Sequence, residues 1–250
     1  MTALRQDGFL GGRLHLWQPT AGYRAGIDAV LLAAATPAEP GQSVLELGCG
    51  AGVASLCLAA RVPGLALTGV ELQPAYAALA RRNASGTGLP LEVVEADLAA
   101  LPPGVKAQSF DHAILNPPYF RRDRGSAAPD PGRETAMGEA TPLAEWIAAA
   151  ARRLRPGGRL TAIQRAERLP DMLAALCPLL GCVELLPLAP RDGRAAKLVL
   201  LRARKGRQGP FRLHAPLTLH EGAAHLGDGD SYTPDVAAIL RDGAALSWPG

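Results

Sequence analysis

Apolar positions along the 250-residue chain fall into two alternating patterns. Compact runs rich in Leu, Val and Ile occupy residues 43–47, 65–71, 91–95, 110–115 and 159–164, most of them bounded by Gly, Pro, Asp or Asn. Runs of that length between turn residues read as buried strands. Between them, residues 28–35, 53–61, 74–83, 142–154 and 169–177 carry apolar side chains at helical spacing. Pro37, Pro63-Gly64 and Arg155-Pro156-Gly157-Gly158 punctuate helix ends. Pro74 stands in a first turn, where its missing N–H costs little. Two further runs, 183–187 and 197–203, are joined by a link too short for a parallel crossover, which predicts an antiparallel hairpin at one sheet edge. The alternation predicts an α/β fold: a Rossmann-like, mostly parallel seven-stranded sheet with helices on both faces. Residues 1–27 read as a polar, Gly-rich start leading into the first helix. Residues 121–141 and 205–232 read as irregular, and loops of that length in a compact domain are usually functional or mobile.

Composition narrows the class. A hydrophobic fraction of 48% is ordinary for a globular chain, and this length buries roughly three quarters of the unfolded surface in one large domain. Net charge is only +3. Its distribution matters more: Arg191, Arg194, Lys197, Arg202, Arg204, Lys205, Arg207 and Arg212 are accompanied by the single acid Asp192, a cluster able to track a phosphate backbone or simply to solvate a strand end. Cys49, Cys57, Cys177 and Cys182 have no CxxC pairing and no neighbouring His, so they are expected as reduced thiols and not as a zinc site. With no signal peptide and no apolar run near the roughly 20 residues that span a bilayer, a cytoplasmic protein is expected.

The segment Glu46-Leu47-Gly48-Cys49-Gly50-Ala51-Gly52 sits where a strand passes into a helix, the usual ligand position in a doubly wound sheet. Its glycines let the backbone turn tightly and approach a ligand closely. Glu71 ends the next strand, spaced to grip both hydroxyls of a ribose. Asp97 is placed to accept from an adenine amino group, and the Leu98 N–H to reach a ring nitrogen. A dinucleotide site shares these features but expects GxGxxG, its third glycine packing helix on strand. Here that position is Val53, and the glycines run GxGxG. S-Adenosylmethionine has no pyrophosphate to cradle and is compatible with that spacing. A plain Gly-rich turn and an Asp helix cap are the bland alternatives.

Residues 110–119 carry the sharpest chemical signal: a hydrophobic strand ending in Asn116-Pro117-Pro118-Tyr119. Consecutive prolines restrict φ, donate no N–H and bias the preceding residue to an extended shape. That rigidity aims the Asn116 side-chain oxygen and the Pro117 carbonyl in fixed directions. Two acceptors converging on a planar NH2 group hold both hydrogens and draw the lone pair towards an electrophilic methyl, while Tyr119 stacks on the plane. A nucleobase must leave its stack to enter such a pocket. The alternative is a plain strand-ending turn. No Ser/His/Asp or Cys/His constellation competes, since His15, His112, His214, His220 and His225 are scattered.

At these residues the chain resembles bacterial tRNA (adenine-N6) methyltransferases that act on valine tRNA next to the anticodon, within the small class of NPPY methyltransferases. The matching segments are 22–32, 44–52, 69–72, 116–120, Arg133-Glu134-Thr135 and 154–158. The resemblance implies one class I methyltransferase domain over residues 1–250, residues 1–40 covering the active-site mouth and 205–250 forming a C-terminal extension. It implies S-adenosylmethionine as cofactor, tRNA as substrate and no metal. Asn116, Pro117, Pro118 and Tyr119 would form the amine pocket. Glu46, Gly48, Cys49, Gly50, Gly52, Glu71, Leu72, Asp97 and Leu98 would line the cofactor site. Arg24, Asp28, Phe120, Arg121 and Arg122 would meet the substrate.

Other readings share parts of the pattern. NPPY also serves enzymes that methylate protein glutamine, DNA adenine and rRNA guanine. Glutamine methyltransferases acting on release factors carry a sizeable helical domain before the cofactor loop, and only residues 1–43 precede Val44 here. A non-catalytic RNA-binding protein would have no need of the intact glycines, Glu71 and NPPY together.

Overall fold

The computed structural model describes residues 3–121, 138, 139, 141–222 and 231–248. Its first element is absent from the apolar pattern. β1 (Leu4–Phe9) and β2 (Leu14–Pro19) pair antiparallel around a turn in which Leu10, Gly11 and Gly12 all take positive φ. In β2 the buried Leu14 and Leu16 flank an exposed His15, but β1 is largely exposed and has no apolar stripe to read. The polar, Gly-rich start of the chain thus holds a hairpin that the apolar pattern did not mark.

From there the alternation follows expectation. The elements are α1 (Ile27–Ala35), β3 (Ser43–Leu47), α2 (Val53–Arg61), β4 (Ala66–Glu71), α3 (Pro74–Thr87), β5 (Glu92–Glu95), α4 (Pro103–Lys106) and β6 (Phe110–Leu115). A small parallel pair, β7 (Phe120–Arg121) with β8 (Gly138–Glu139), precedes a helix at Leu143–Arg153. The chain closes with β9 (Leu154–Arg165), a helix at Leu169–Leu176, β10 (Gly181–Ala189), β11 (Leu198–Arg204), the stubs β12 (Arg212–Leu213) and β13 (Leu217–Thr218), and a helical segment beginning at Pro234–Ala237.

The main sheet runs β5-β4-β3-β6-β9-β11-β10. The first five of these are parallel, and β11 is antiparallel to both β9 and β10. To these seven expected strands the stubs β12 and β13 add parallel pairings on β10, making nine. β9 begins five residues before the expected strand. The Arg155-Pro156-Gly157-Gly158 stretch, which reads as a helix stop, enters the ladder through a register shift opposite Phe110–His112.

Local chemistry sets the helices. Pro74 opens α3, and Gly88 closes it in the left-handed conformation (φ 67°). The Leu143–Arg153 helix has Glu145 in its first turn and Arg152 and Arg153 in its last, matching its dipole. It buries Leu143, Trp146, Ile147 and Ala150 on one stripe. Two cores flank the sheet. One joins α1, α2 and α3 to the sheet through Leu31, Leu32, Leu56 and Leu58. The other packs the Leu143–Arg153 and Leu169–Leu176 helices on Leu45, Leu115 and Leu160. Each fully buried Leu contributes about 2 kcal/mol. The chain leaves β3 towards one face, and β6, on its other side, leads towards the opposite face. A crevice therefore opens between the carboxyl ends of β3 and β6, where such sheets bind ligands.

Candidate active site

That crevice is a cavity of about 490 Å³. It gathers the ends of four parallel strands. After β3, Gly48 and Gly50 line it; after β4, Glu71 and Leu72; after β5, Asp97 and Leu98; after β6, Asn116, Pro117, Pro118 and Tyr119. The segment before α1 supplies Tyr23, Arg24 and Asp28.

One end of the cavity is built from backbone. The turn after β3 is tied to β4 by the N–H groups of Gly48 and Cys49, which donate to the Val70 carbonyl (2.8 and 3.0 Å). Gly48 has φ +69°, and an added Cβ would lie 2.5 Å from Cη2 of Trp146. The glycine is required both by conformation and by the indole over it. The Glu71 carboxylate accepts from the Gly50 N–H (2.8 Å) and the Gln73 N–H (2.9 Å). Its pKa is raised, burial outweighing these backbone hydrogen bonds. Asp97 lines the cavity and also caps the Leu98–Ala100 turn through the Ala99 N–H (2.9 Å).

Three expected cofactor residues stand behind the wall. Glu46 is buried, and its Oε2 accepts from the Ser55 N–H (3.1 Å) and the Ser55 hydroxyl, anchoring the start of α2. Burial pushes its carboxyl up to about 8 despite the Ser55 bonds. Cys49 folds over Gly69, where a Cβ would come 2.8 Å from its Sγ. Gly52 (φ +81°) permits close packing of α2 on Leu91. None of the three lines the cavity.

The other end is built from side chains. Asn116 Nδ2 donates to Asp28 Oδ2 (3.0 Å) and to the Tyr23 hydroxyl (3.4 Å). The Tyr119 hydroxyl donates to the same Asp28 oxygen (2.5 Å). Asp28 Oδ1 accepts from the Gly26 N–H at the start of α1 (3.0 Å). With its NH2 end held by two acceptors, the Asn116 amide has one orientation, and its Oδ1 is a buried atom with no hydrogen-bond partner among the described residues. An unpaired buried acceptor costs about 1–3 kcal/mol, so it marks a place where a donor is expected. Burial, reinforced by Asp28, raises the Tyr119 pKa far above the ordinary phenol, keeping the hydroxyl protonated. Behind the turn, the fully buried Gln164 donates to the carbonyls of Pro117 (3.3 Å) and Pro118 (3.4 Å). The Pro117 carbonyl retains its second lone pair.

The sequence pattern did not reveal Tyr23, Gln73, Tyr76, Trp146 or Gln164. Tyr76 and Trp146 lie inside the segments 74–83 and 142–154 that read as helices, and helical spacing does not mark them as lining a cavity. At the mouth, Arg24 is held by Asp7 of the hairpin (2.7 and 2.8 Å). Burial works to raise the Asp7 pKa, but bonds from Arg24 and Gln18 and the charges of Arg24 and Arg5 outweigh it and lower it. Arg122 lies outside the described residues, as do the side chains of Phe120 and Arg121 and the segment holding Arg133-Glu134-Thr135. Among the described residues no His/Cys/Asp/Glu group is arranged to hold a metal, and no helix is long and apolar enough to cross a membrane.

The basic segment 191–212 does not form one surface. β10 and β11 are antiparallel, so Arg191, Arg194 and Lys197 sit at the catalytic end of the sheet and Arg202, Arg204 and Arg212 towards the opposite end. Arg191 is buried and donates to the carbonyls of Glu221 and Gly222.

The fold and crevice define a Rossmann-like transferase architecture. Residues 24–184 match the Methyltransferase small domain family, and the chain belongs to it. Among its relatives, the tRNA1(Val) (adenine(37)-N6)-methyltransferase of Porphyromonas gingivalis is 34% identical over 66% of this chain and 68% of that protein. The enzyme of that name from Actinobacillus succinogenes is 30% identical over 94% of this chain and 96% of its own length. The crystal structure of a predicted O-methyltransferase from Agrobacterium tumefaciens superimposes with a TM-score of 0.71 at 28% identity, covering 88% of this chain and 98% of that one. A Thermus thermophilus 16S rRNA N2 G1207 methyltransferase, solved with AdoMet and guanosine, shares the fold with a TM-score of 0.57 at 22% identity over 81% of this chain and 50% of that one.

Proposed function

We propose that this chain transfers the methyl group of S-adenosylmethionine to the exocyclic N6 of adenine in valine tRNA, next to the anticodon. The observation that carries the chemistry is the Asn116 amide: its NH2 end is tied to Asp28 and Tyr23, while its oxygen, at the wall of the crevice, has no partner among the described residues. The relatives' names support the tRNA adenine target.

The glycine turn and the strand ends suit the cofactor. At Gly50 an added Cβ would meet only the edge of the Tyr23 ring at 3.7 Å, so the turn leaves room beside it, and Glu71 keeps lone pairs for ribose hydroxyls beyond the two N–H groups it accepts. When bound, the cofactor would supply a methyl group on a sulfonium; its transfer releases neutral S-adenosylhomocysteine and leaves N6 cationic and acidic enough to give its extra proton to solvent, so no strong general base is needed. The chain contributes positioning and hydrogen bonding. Asn116 Oδ1 and the Pro117 carbonyl accept the two hydrogens of the flat amine. That grip draws the nitrogen lone pair out of conjugation and along the line of transfer. Tyr119 covers the base plane, and its hydroxyl stays bonded to Asp28. The adenine enters unstacked. Arg24, at the mouth and held by Asp7, is our candidate for contact with the RNA backbone.

We take residues 1–250 as one methyltransferase domain, with residues 1–40 over the mouth and 205–250 as a C-terminal extension, working in the cytoplasm where tRNA is processed. The test is incubation of the purified chain with labelled cofactor and tRNA lacking this modification, followed by nucleoside mass spectrometry. N6-methyladenosine should form, and RNA binding should weaken steeply with salt. Label on a release-factor glutamine and none on tRNA would overturn the substrate while keeping the chemistry.

A further inference from the structure

A second recess, of about 230 Å³, opens towards the far end of the sheet from the crevice. Along β9, Arg159 stands roughly 15–20 Å from Gln164 at the catalytic end. The recess is lined by Arg159 of β9, Arg202 and Arg204 of β11, Arg212 of β12, Glu184 of β10 and the 209–210 loop. The strand register is unusual in charge. Arg204 pairs directly opposite Arg159, and Arg202 stands two residues along on the same face. Like charges directly opposite each other in a sheet are destabilising. Arg202 is compensated by Glu184 (2.8 Å), but that carboxylate also serves His214 (2.9 Å). Among the described residues, Arg159, Arg204 and Arg212 have no ion pair, and Arg204 Nε is buried without a hydrogen-bond partner. The Arg159 pKa is lowered, first by burial and then by Arg204 and Arg202, against weaker opposition from Glu39 and Glu184.

The backbone is shaped to keep this arrangement. At Gly181 an added Cβ would lie 1.9 Å from the Arg207 carbonyl oxygen, so the chain after β11 crosses directly over the start of β10. That crossing brings Gly209, Pro210 and Arg212 to the rim. A fold that holds unpaired guanidinium groups together in a half-buried recess gains from a compensating anion, and the planar fork of Arg matches phosphate oxygens.

We propose that this recess is an anion site that takes a phosphate group, either a backbone phosphodiester of the RNA or a free phosphate. The site is separate from the crevice, so its failure would leave the methyl-transfer reading intact.

The test is to melt the full chain in inorganic phosphate and in chloride at equal ionic strength, alongside the Arg159→Gln/Arg204→Gln double variant and the exposed-rim variant Arg212→Gln. Phosphate at about 100-fold its Kd should raise the wild-type midpoint by roughly 5 °C or more over chloride. The double variant should lose that rise and, with the like-charge pair gone, melt no lower than wild type in chloride. Arg212→Gln should weaken the response without loss of fold. For an RNA phosphodiester, the double variant also lowers the slope of log affinity against log salt for tRNA by roughly 1–2. For free phosphate, tRNA affinity is unchanged while the phosphate response disappears. No phosphate-specific rise in wild type, or the same rise in the double variant, would overturn the site.

Discussion

The two ends of the crevice are built in different ways. The end after β3 and β4 is made of main chain: N–H groups, positive-φ glycines and one carboxylate held by two backbone donors. Its key bond, Gly50 to Glu71, spans 21 residues, one βαβ unit. The amine end is made of side chains from distant segments: Asp28 meets Asn116 across 88 residues and Tyr119 across 91. A backbone cradle is set by strand, turn and helix together and accommodates side-chain changes around it. A side-chain network depends on each donor meeting its acceptor, and one reversed amide disables it.

On that contrast, substitutions at the amine end damage turnover and spare cofactor binding, and those at the glycine turn do the reverse. The largest effect is expected for Asn116→Ala. Turnover should fall by about 10²–10³, the loss typical of a removed transition-state hydrogen-bonding group. The dissociation constant for adenosylmethionine, measured by calorimetry, should stay within about two-fold.

Asp28→Asn is the sharper probe. The aspartate offers one oxygen to Gly26 and the other to Asn116 and Tyr119. An asparagine must place its NH2 at one of these positions. Facing Asn116, it turns that amide over and presents a donor to the substrate amine. Turnover should fall by about 10–100-fold with KM for cofactor little changed. Equal losses in both would break the distinction.

At the glycine turn, Gly48→Ala drives a Cβ into Trp146 at a positive φ. It should weaken cofactor binding about tenfold and cost about 1–3 kcal/mol of stability, read by calorimetry and denaturant melting.

The smallest effect concerns Glu46 and is one of stability. Its folded pKa, pushed up to about 8, lies above the ordinary 4.5. The folded chain therefore holds a proton that the unfolded chain releases, and this contribution is lost as pH rises through 8. Buried His112, pushed down to about 4 chiefly by burial and next by Arg159, acts oppositely, losing stability as pH falls from 6.5. Between pH 6.5 and 8 the slope that remains comes from Glu46, with Glu71, also raised by burial, acting in the same direction. Glu46→Gln keeps an acceptor for Ser55 and should flatten it by up to about 1.4 kcal/mol per pH unit in denaturant titrations.

The same contrast explains what could be read before the structure. Strand–turn–helix periodicity located the glycine turn, Glu71 and Asp97, because each follows its own strand. Asn116 to Tyr119 were legible because two prolines fix the local backbone. Glu46, Cys49 and Gly52 share the motif yet do not line the cavity, a division that depends on which way side chains leave a turn. Gln164 and Tyr23 act through contacts between strands and segments far apart in sequence, so no local pattern marks them. The β1–β2 hairpin escaped because β1 is largely exposed and buries only Phe9 at its end, and the basic segment 191–212 read as one cluster although the predicted 183–187/197–203 hairpin already carries its two halves to opposite ends of a strand.

The most direct measurement is a crystal structure of the chain with S-adenosylhomocysteine and adenosine. The account predicts Asn116 Oδ1 and the Pro117 carbonyl both within about 3.2 Å of adenosine N6, with the Asn116 NH2 group still on Asp28. An N6 amine bonded to other groups, or an Asn116 amide turned with its NH2 towards the base, would contradict it.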